Sequence, residues 1–364
     1  MRKPRKGRRA GRLPGILPVG ILARMPDPLP EPLRKGVQLP MSEKTAWVLT
    51  EGMAGMVTQA VGLAEAVGLP FAEKTVALQA PWRWLPPRFW PPGILGIAGN
   101  DDTLSPPWPE LVVSCGRKAI GPAREIKRRN DGRTFIVHVQ NPHVSPQAFD
   151  AIVVASHDRF AGSNVIETRG ALHRVTPERL RQAGAEYAAA LAGLPRPFTT
   201  VLVGGPNAVY RVTPDVMADF AERLAAFSRD IGGTLLVTPS RRTGAENEAV
   251  LRKTLQGTGA VIWDGVGGNP YFGYLAHADQ IIATCDSVSM VSEACATGKP
   301  VYVYDLPGGS AKFRRFHDML RHDGITRPFT GAVVDWSYAP FDETARVGQE
   351  IRRRMGLPDP NLNR

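Results

Sequence analysis

Cysteine is scarce in this 364-residue chain: Cys115, Cys285 and Cys295 are the three present, and no two form a CxxC pair. That count excludes a disulfide framework and a thiolate zinc site of the usual spacing. Two of the three fall in runs expected to be buried, so they read as reduced core residues, and a reducing, cytoplasmic setting is expected. Long apolar runs are missing too. Nothing approaches the ~20 residues of a membrane-spanning helix; stretches such as Leu111–Val113 and Ala151–Ala155 read as sheet strands, which leaves a soluble or peripheral protein. Several signatures of chemistry are absent. There is no GxGxxG dinucleotide fingerprint, no HxxxH pair with a partner carboxylate, no GxSxG nucleophile elbow and no Tyr-xxx-Lys pair. A dinucleotide dehydrogenase, a metal centre and a serine hydrolase are thereby disfavoured, and no metal or bound cofactor is expected.

Acidic residues number 34 against 45 basic ones, for a net charge of +11. The imbalance is concentrated at one end: residues 1–40 hold ten Lys or Arg against Asp27 and Glu31, so +8 of the charge lies there. This tail is rich in Pro and Gly and lacks periodicity, which predicts disorder rather than a further domain. Its apolar piece Leu13–Leu22 is broken by Pro14, Gly15, Pro18 and Gly20, unlike the core of a signal peptide. Met41 precedes the first strand, and translation from Met41 is the expectation; a basic arm for acidic lipid or nucleic acid is the competing reading. No nucleic-acid partner is expected.

From Lys44 the chain alternates short apolar runs with amphipathic stretches, the pattern of parallel α/β domains. Strands are expected near Ala46–Thr50, Thr75–Leu78, Leu111–Cys115, Thr134–Gln140 and Ala151–Ser156, with helices over Met56–Val67, Ala119–Arg129 and Pro177–Ala192. The Pro- and Gly-containing stretch between Ala190 and Thr199 reads as a boundary. After it come strands at Thr200–Val203, Thr234–Thr238, Ala260–Trp263, Gln280–Cys285 and Val301–Tyr304. The expected organisation is a tail (1–40), a first Rossmann-like domain (41–195), a second (196–340) and a C-terminal helix and tail (341–364). Two doubly wound α/β domains would face across a cleft lined by strand C-terminal ends, where ligands bind.

Ala278–Leu306 carries the densest signal, since a strand, a hydroxyl-rich turn, a helix over Met290–Thr297 and another strand follow in order. A helix start after a strand end suits phosphate, because backbone N–H groups and the positive dipole end are exposed there, and Ser287, Ser289 and Ser292 add hydroxyls. Glu293 lies four residues after Ser289, on the same helical face, within reach of a ribose diol. The same residues also suit a serine N-cap on a buried helix, although neither Ser287 nor Ser289 stands three residues before Glu293 as a capping box requires. Gly52 and Gly55 in TEGMAG, and Gly204 and Gly205 in GGPN, follow the first strand of each half and serve either a ligand or a tight turn. Ser240, Arg241 and Arg242 in TPSRRT follow another strand, where arginine would neutralise a diphosphate or simply face solvent. On the first half, Arg117 and Lys118 in SCGRK, Asn141 and His143 in QNPH, and the pair His157 and Asp158 follow strands and would line the acceptor side. His143, His157 and Asp158 are the candidates for acid–base chemistry, with a structural role the alternative for each histidine.

Residues 81–99 gather Trp82, Trp84, Phe89 and Trp90 around Arg83 and Arg88. This segment reads either as packing beneath a long loop or as a contact with an anionic membrane, at the inner face of the cytoplasmic membrane.

The motifs SCGRKAIGPAREIKR, HVQNPH, VLVGGPNAVYR, TPSRRT, NPYFGYLAHADQIIATCDSVSMVSEACATGKPVYVY and KFRRFH occur in this order. In them the chain resembles a bacterial member of the mitochondrial-fission elongated-mitochondria family, over about Lys44–Leu357. The resemblance implies association with recruitment of a dynamin-related protein for plant members, and a different role in a bacterium. The second half is also similar to the donor domain of GT-B glycosyltransferases. That similarity implies a nucleotide-diphosphate sugar as donor substrate, with ribose on Glu293, diphosphate on Ser287 and Ser289, and charge compensation from Arg241 or Arg242, without a metal. TEGMAG departs from a GGxGGH-type first loop in having no histidine, so the resemblance supplies no catalytic base. Three functions follow as expectations: a metal-independent glycosyltransferase acting on an envelope lipid or glycan, a non-catalytic GT-B-like scaffold, and a nucleotide-sugar epimerase.

Overall fold

A computed structural model of the chain describes residues 44–85, 89, 97–98 and 104–358. The basic tail, Met41, residues 359–364 and much of the aromatic segment, Trp90 included, lie outside the described residues.

The apolar runs of the first half fold as β1 (Ala46–Thr50), β2 (Phe71–Thr75), the small antiparallel pair β3 (Ala77–Leu78) and β4 (Ile97–Ala98), β5 (Leu111–Cys115), β6 (Phe135–Val139), β7 (Ala151–Ala155) and β8 (Val165–Thr168). Six of them make a parallel sheet in the order β2-β1-β5-β6-β7-β8. Every residue of β1 and β5 is buried, because helices cover both faces. Alternate side chains divide between them: Ala46 and Val48 pack with α1 (Ala54–Val67), and Trp47 and Leu49 with α2 (Ile120–Arg129). The expected single strand Thr75–Leu78 is instead the end of β2, a break at Val76 and the start of the β3–β4 pair.

The second sheet is also parallel, with β9 (Phe198–Val203), β10 (Thr234–Pro239), β11 (Val261–Ile262), β12 (Gln280–Thr284), β13 (Val301–Tyr304) and β14 (Thr326–Pro328) in the order β11-β10-β9-β12-β13-β14. Its helices include α4 (Pro214–Ile231), which starts on Thr213 as N-cap with Pro at the first turn and stops at Gly232 in the left-handed region. Met217, Phe220, Ala221, Leu224 and Phe227 form its buried stripe.

Two helices change sides. α3 (Pro177–Leu191), which the sequence assigns to the first domain, packs on α6 (Tyr271–His277) of the second: Leu191 clusters with Phe198, Leu236 and Tyr274, and Tyr187 stands edge-on to Tyr274 with centroids 6.4 Å apart. The domain change therefore precedes α3, because its apolar face finds its cover on the second sheet; the Pro/Gly stretch near 195 is the turn from α3 into β9. At the other end, α9 (Glu343–Arg354) packs on α1, with Gly348 so close to Ala66 that a Cβ there would lie 2.6 Å from the alanine methyl. Among the described residues no helix is long and apolar enough to cross a membrane.

Candidate functional site

The C-terminal ends of both sheets meet at a cavity of about 290 Å³. The first domain contributes Gln59, Gln140, His157, Asp158, Thr168 and the segment Gly170–Leu172, and the second contributes Asp286–Ser289, Lys312 and Phe313. Two helix starts line it: α7 (Val288–Cys295) begins after Ser287, and α8 (Ala311–His322) places Lys312 and Phe313 in its first turn. α1, which reaches the cavity through Gln59, begins beside it at Ala54 without a side-chain cap; none of the three carries an acid in its first turn. The starts of α1 and α7 meet across the domains, with a Cβ on Gly55 falling 3.5 Å from Ser289 Oγ. Helix starts without an acid in their first turns favour an anion, and the two carboxylates at the cavity, Asp158 and Asp286, are paired with Lys312 and Arg242.

Ser287 is the N-cap of α7, its hydroxyl accepting from Met290 N at 3.3 Å. The helix thus starts two residues earlier than expected and ends at Cys295. Ser289, in the first turn, lines the cavity with Ser287. Ser292 does not: it is fully buried, and its hydroxyl accepts from Ala171 N at 3.0 Å, pinning the first-domain segment to α7. Its expected role as a phosphate donor is corrected to that of a domain clamp, because it lies a full turn below the helix start.

The GGPN loop is closed by the protein's own acid. Gly204 N donates to Thr284 Oγ1 at 2.8 Å, Gly205 N to Asp286 Oδ2 at 3.1 Å, and Arg242 Nη2 pairs with the same Asp286 oxygen at 2.7 Å. A Cβ on Gly204 would overlap the Asp286 carboxylate, and one on Gly205 the Arg242 backbone. Gly204 and Gly205 are thus buried and engaged internally, while Arg242, its side chain 40% exposed, is held by the Asp286 carboxylate. Ser240, whose N–H and hydroxyl meet Thr243 Oγ1, and exposed Arg241 do not line this cavity.

Glu293 is 7% exposed and accepts from the Tyr271 hydroxyl at 2.5 Å. Burial pushes its carboxyl up to about 7, against the pull of Tyr271 and Arg174. It sits one turn below Ser289 without lining the cavity.

On the first domain, His157 and Asp158 form a short 3₁₀ turn after β7, and both line the cavity. Asp158 Oδ1 pairs with Lys312 Nζ at 2.5 Å and the His157 carbonyl accepts from Arg315 at 2.6 Å, so this turn is fastened to α8 across the domain boundary. The His157 ring is 5% exposed, stands edge-on to Phe316, and has no partner at Nδ1. Burial holds its pKa down at about 4; Asp158 opposes this, while Lys312, Arg315 and His317 add to it. His143 lies elsewhere, exposed at φ 53° with its N–H on Asn141 Oδ1 at 2.9 Å, and neither residue lines the cavity. Lys118 is held by Glu51, through Nζ at 3.0 Å and its N–H at 2.9 Å, beside exposed Arg117. Gly52 takes φ 79° and leads into α1.

Sequence reasoning passed over Gln59, Lys312 and Tyr271. Lys312 stands within the KFRRFH motif and Tyr271 within NPY, but their partners Asp158 and Glu293 are distant in sequence. Among the described residues no three His, Cys, Asp or Glu side chains gather as a metal-ligand set.

A family model described as Mitochondrial fission ELM1 matches residues 54–355. The mitochondrial fission protein ELM1 of Arabidopsis thaliana is 33% identical over 290 residues, 72% of this chain and 67% of that protein. An uncharacterized protein of Rickettsia prowazekii is 24% identical over 355 residues, 84% of this chain and 97% of that one. Among solved structures, the UDP-GlcNAc 2-epimerase of Methanocaldococcus jannaschii aligns with a TM-score of 0.51 at 12% identity, covering 86% of this chain and 99% of that one. The likeness is one of fold, two parallel α/β domains in the GT-B arrangement. With its motifs in order and the family match running through both domains, the chain belongs to the mitochondrial fission ELM1 family.

Proposed function

We propose that the cavity between the domains binds a nucleotide-diphosphate sugar and that the protein is a glycosyltransferase-type enzyme acting without a metal. The observation that carries this reading is the meeting of the α1 and α7 starts at Gly55 and Ser289, with Lys312 beside them. Phosphate oxygens would take the N–H groups of both helices, the Ser289 hydroxyl and Lys312. In transfer, the bond from the anomeric carbon to the diphosphate breaks, the acceptor oxygen bonds to that carbon, and the diphosphate leaves with the bonding pair, its charge stabilised by the helix starts. Asp158, released when Lys312 turns to phosphate, takes the acceptor proton. Glu293, one turn below, is proposed to reach the ribose.

Calorimetric titration with UDP- and GDP-sugars tests this. Binding that weakens at least tenfold in Ser289→Ala with Lys312→Ala supports it, and heats indistinguishable from dilution across the panel would defeat it. A second reading, a nucleotide-sugar-binding scaffold without turnover, is favoured by the closed Asp158–Lys312 pair, which engages the proposed base. Release of nucleoside diphosphate on adding acceptors separates the two. An epimerase would bind the same ligand and convert it with no acceptor.

We further propose that Trp84 and Phe89, 68% and 56% exposed, touch an anionic membrane surface. Flotation with phosphatidylglycerol vesicles should fall in Trp84→Ala, and an unaltered float would remove the idea.

A further inference from the structure

The first-domain wall of the cavity presents three neutral polar side chains whose hydrogen-bonding capacity the protein uses only in part. Gln140 follows β6 with φ 84°, a conformation disfavoured for a residue other than glycine. Its N–H stays in the sheet, donating to Val153 O at 2.8 Å. Its half-buried side chain lines the cavity and meets no polar partner among the described residues. Strain of this kind, held at a ligand-sized cavity, points to a side chain that must be aimed. Gln59 is buried, and its amide is fixed by donation from Nε2 to Gly55 O at 3.0 Å, which leaves Oε1 without a protein donor among the described residues. His157 lines the cavity with a ring that makes no hydrogen bond among the described residues. Polar groups left without protein partners on a cavity wall are available to a bound group.

None of the three is charged in the cavity's resting state, since burial keeps His157 neutral near pH 7. Asp158, the charged group on the same wall, is paired with Lys312, so the wall suits neutral donors and acceptors rather than a second phosphate. Two amides and an imidazole match a polyol, since an amide meets neighbouring hydroxyls with both its oxygen and its NH₂. Size agrees. At about 290 Å³ the cavity lies at the small end of ligand sites, which span ~300–1,000 Å³, so it admits one sugar with its adjoining phosphate and leaves the nucleoside outside.

We infer that Gln59, Gln140 and His157 form the subsite that recognises the hydroxyl-bearing sugar of the ligand, opposite the helix starts that take its phosphates. This rests on the nucleotide-sugar reading and names the residues that set sugar preference.

The experiment compares each nucleotide sugar with its own nucleoside diphosphate by calorimetry on the full chain: UDP against UDP-N-acetylglucosamine and UDP-glucose, GDP against GDP-mannose. In the unaltered protein at least one conjugate should bind tenfold or more tightly than its diphosphate. Gln140→Gly removes the amide while relieving the φ 84° strain, so its melting temperature should not fall. Its preference for the conjugate should drop about tenfold, with affinity for the diphosphate held within twofold. His157→Phe, which keeps the ring packing on Phe316, should show the same split. A conjugate that binds no more tightly than its diphosphate, or variants that weaken both ligands equally, would overturn the subsite and leave the phosphate site standing. Failure of every diphosphate and conjugate to bind would overturn both.

Discussion

The loops that follow the first strand of each domain look alike in sequence and do opposite things. After β1, Gly52 turns the chain at φ 79°, Met53 supplies no side-chain cap, and Ala54 and Gly55 begin α1 in the open, facing Ser289 of the other domain. After β9, Gly204 and Gly205 are buried, their N–H groups engaged by Thr284 and Asp286, and the Asp286 carboxylate lies where a Cβ would have to go. In the first loop a Cβ would find room, whereas in the second an internal carboxylate, paired with Arg242, already occupies its place.

The largest expected effect breaks this contrast directly. Gly204→Ala should destabilise the protein by roughly 4 kcal/mol through overlap with Asp286, whereas Gly55→Ala should leave stability unchanged or raised by about 0.5 kcal/mol. Urea unfolding of both variants measures it, and equal midpoints would show that the second loop is not closed.

Next in size is Glu293. Its carboxyl titrates at about 7 in the fold against an ordinary 4.5, so between those values the folded protein holds a proton that the unfolded chain has released. Stability therefore falls as pH rises from about 4.5 to 7 and levels off above. Glu293→Gln, which still accepts from Tyr271, should be more stable than the unaltered protein by up to about 3 kcal/mol above pH 7, with the gap closing towards pH 4.5. Parallel pH profiles of the two melting temperatures would refute the account.

The smallest effect sharpens the comparison. Asp286→Asn keeps the shape of the loop but frees Arg242, so stability should fall by about 1–2 kcal/mol while affinity for inorganic diphosphate rises. Unaltered diphosphate binding would mean that the acid does not screen the loop.

The fold was legible where burial on both faces leaves an apolar run, as in Leu111–Cys115 and Gln280–Thr284. It was not legible at the edges: VIET of β8 and TRP of β14 are short and partly polar because one flank of each is unpaired. The site was half legible. Ser287 and Ser289 announced a helix start by spacing alone, but Ser292 and Arg242 looked equally free, and their partners, Ala171 and Asp286, lie 121 and 44 residues away along the chain. Hydroxyls and guanidiniums satisfied by distant backbone or buried acids leave no local mark. The placement of α3 was hidden for the same reason, since a prolyl turn marks where the chain bends and says nothing of which sheet a helix covers.

The crossing of α9 back to α1 has a practical consequence for cutting the molecule apart. The first domain is not one contiguous piece of chain: its α1 surface around Ala66 is completed by Gly348, and Arg352 reaches the Val67 carbonyl at the end of that helix. A fragment ending after β8 would carry a bare apolar helix face and should aggregate, whereas a single proteolytic nick between α8 and α9 should leave two fragments that stay together through native gel filtration. Helices α1 and α9 thus close the first domain as a clasp closes a loop, and any dissection that respects the domains has to keep both.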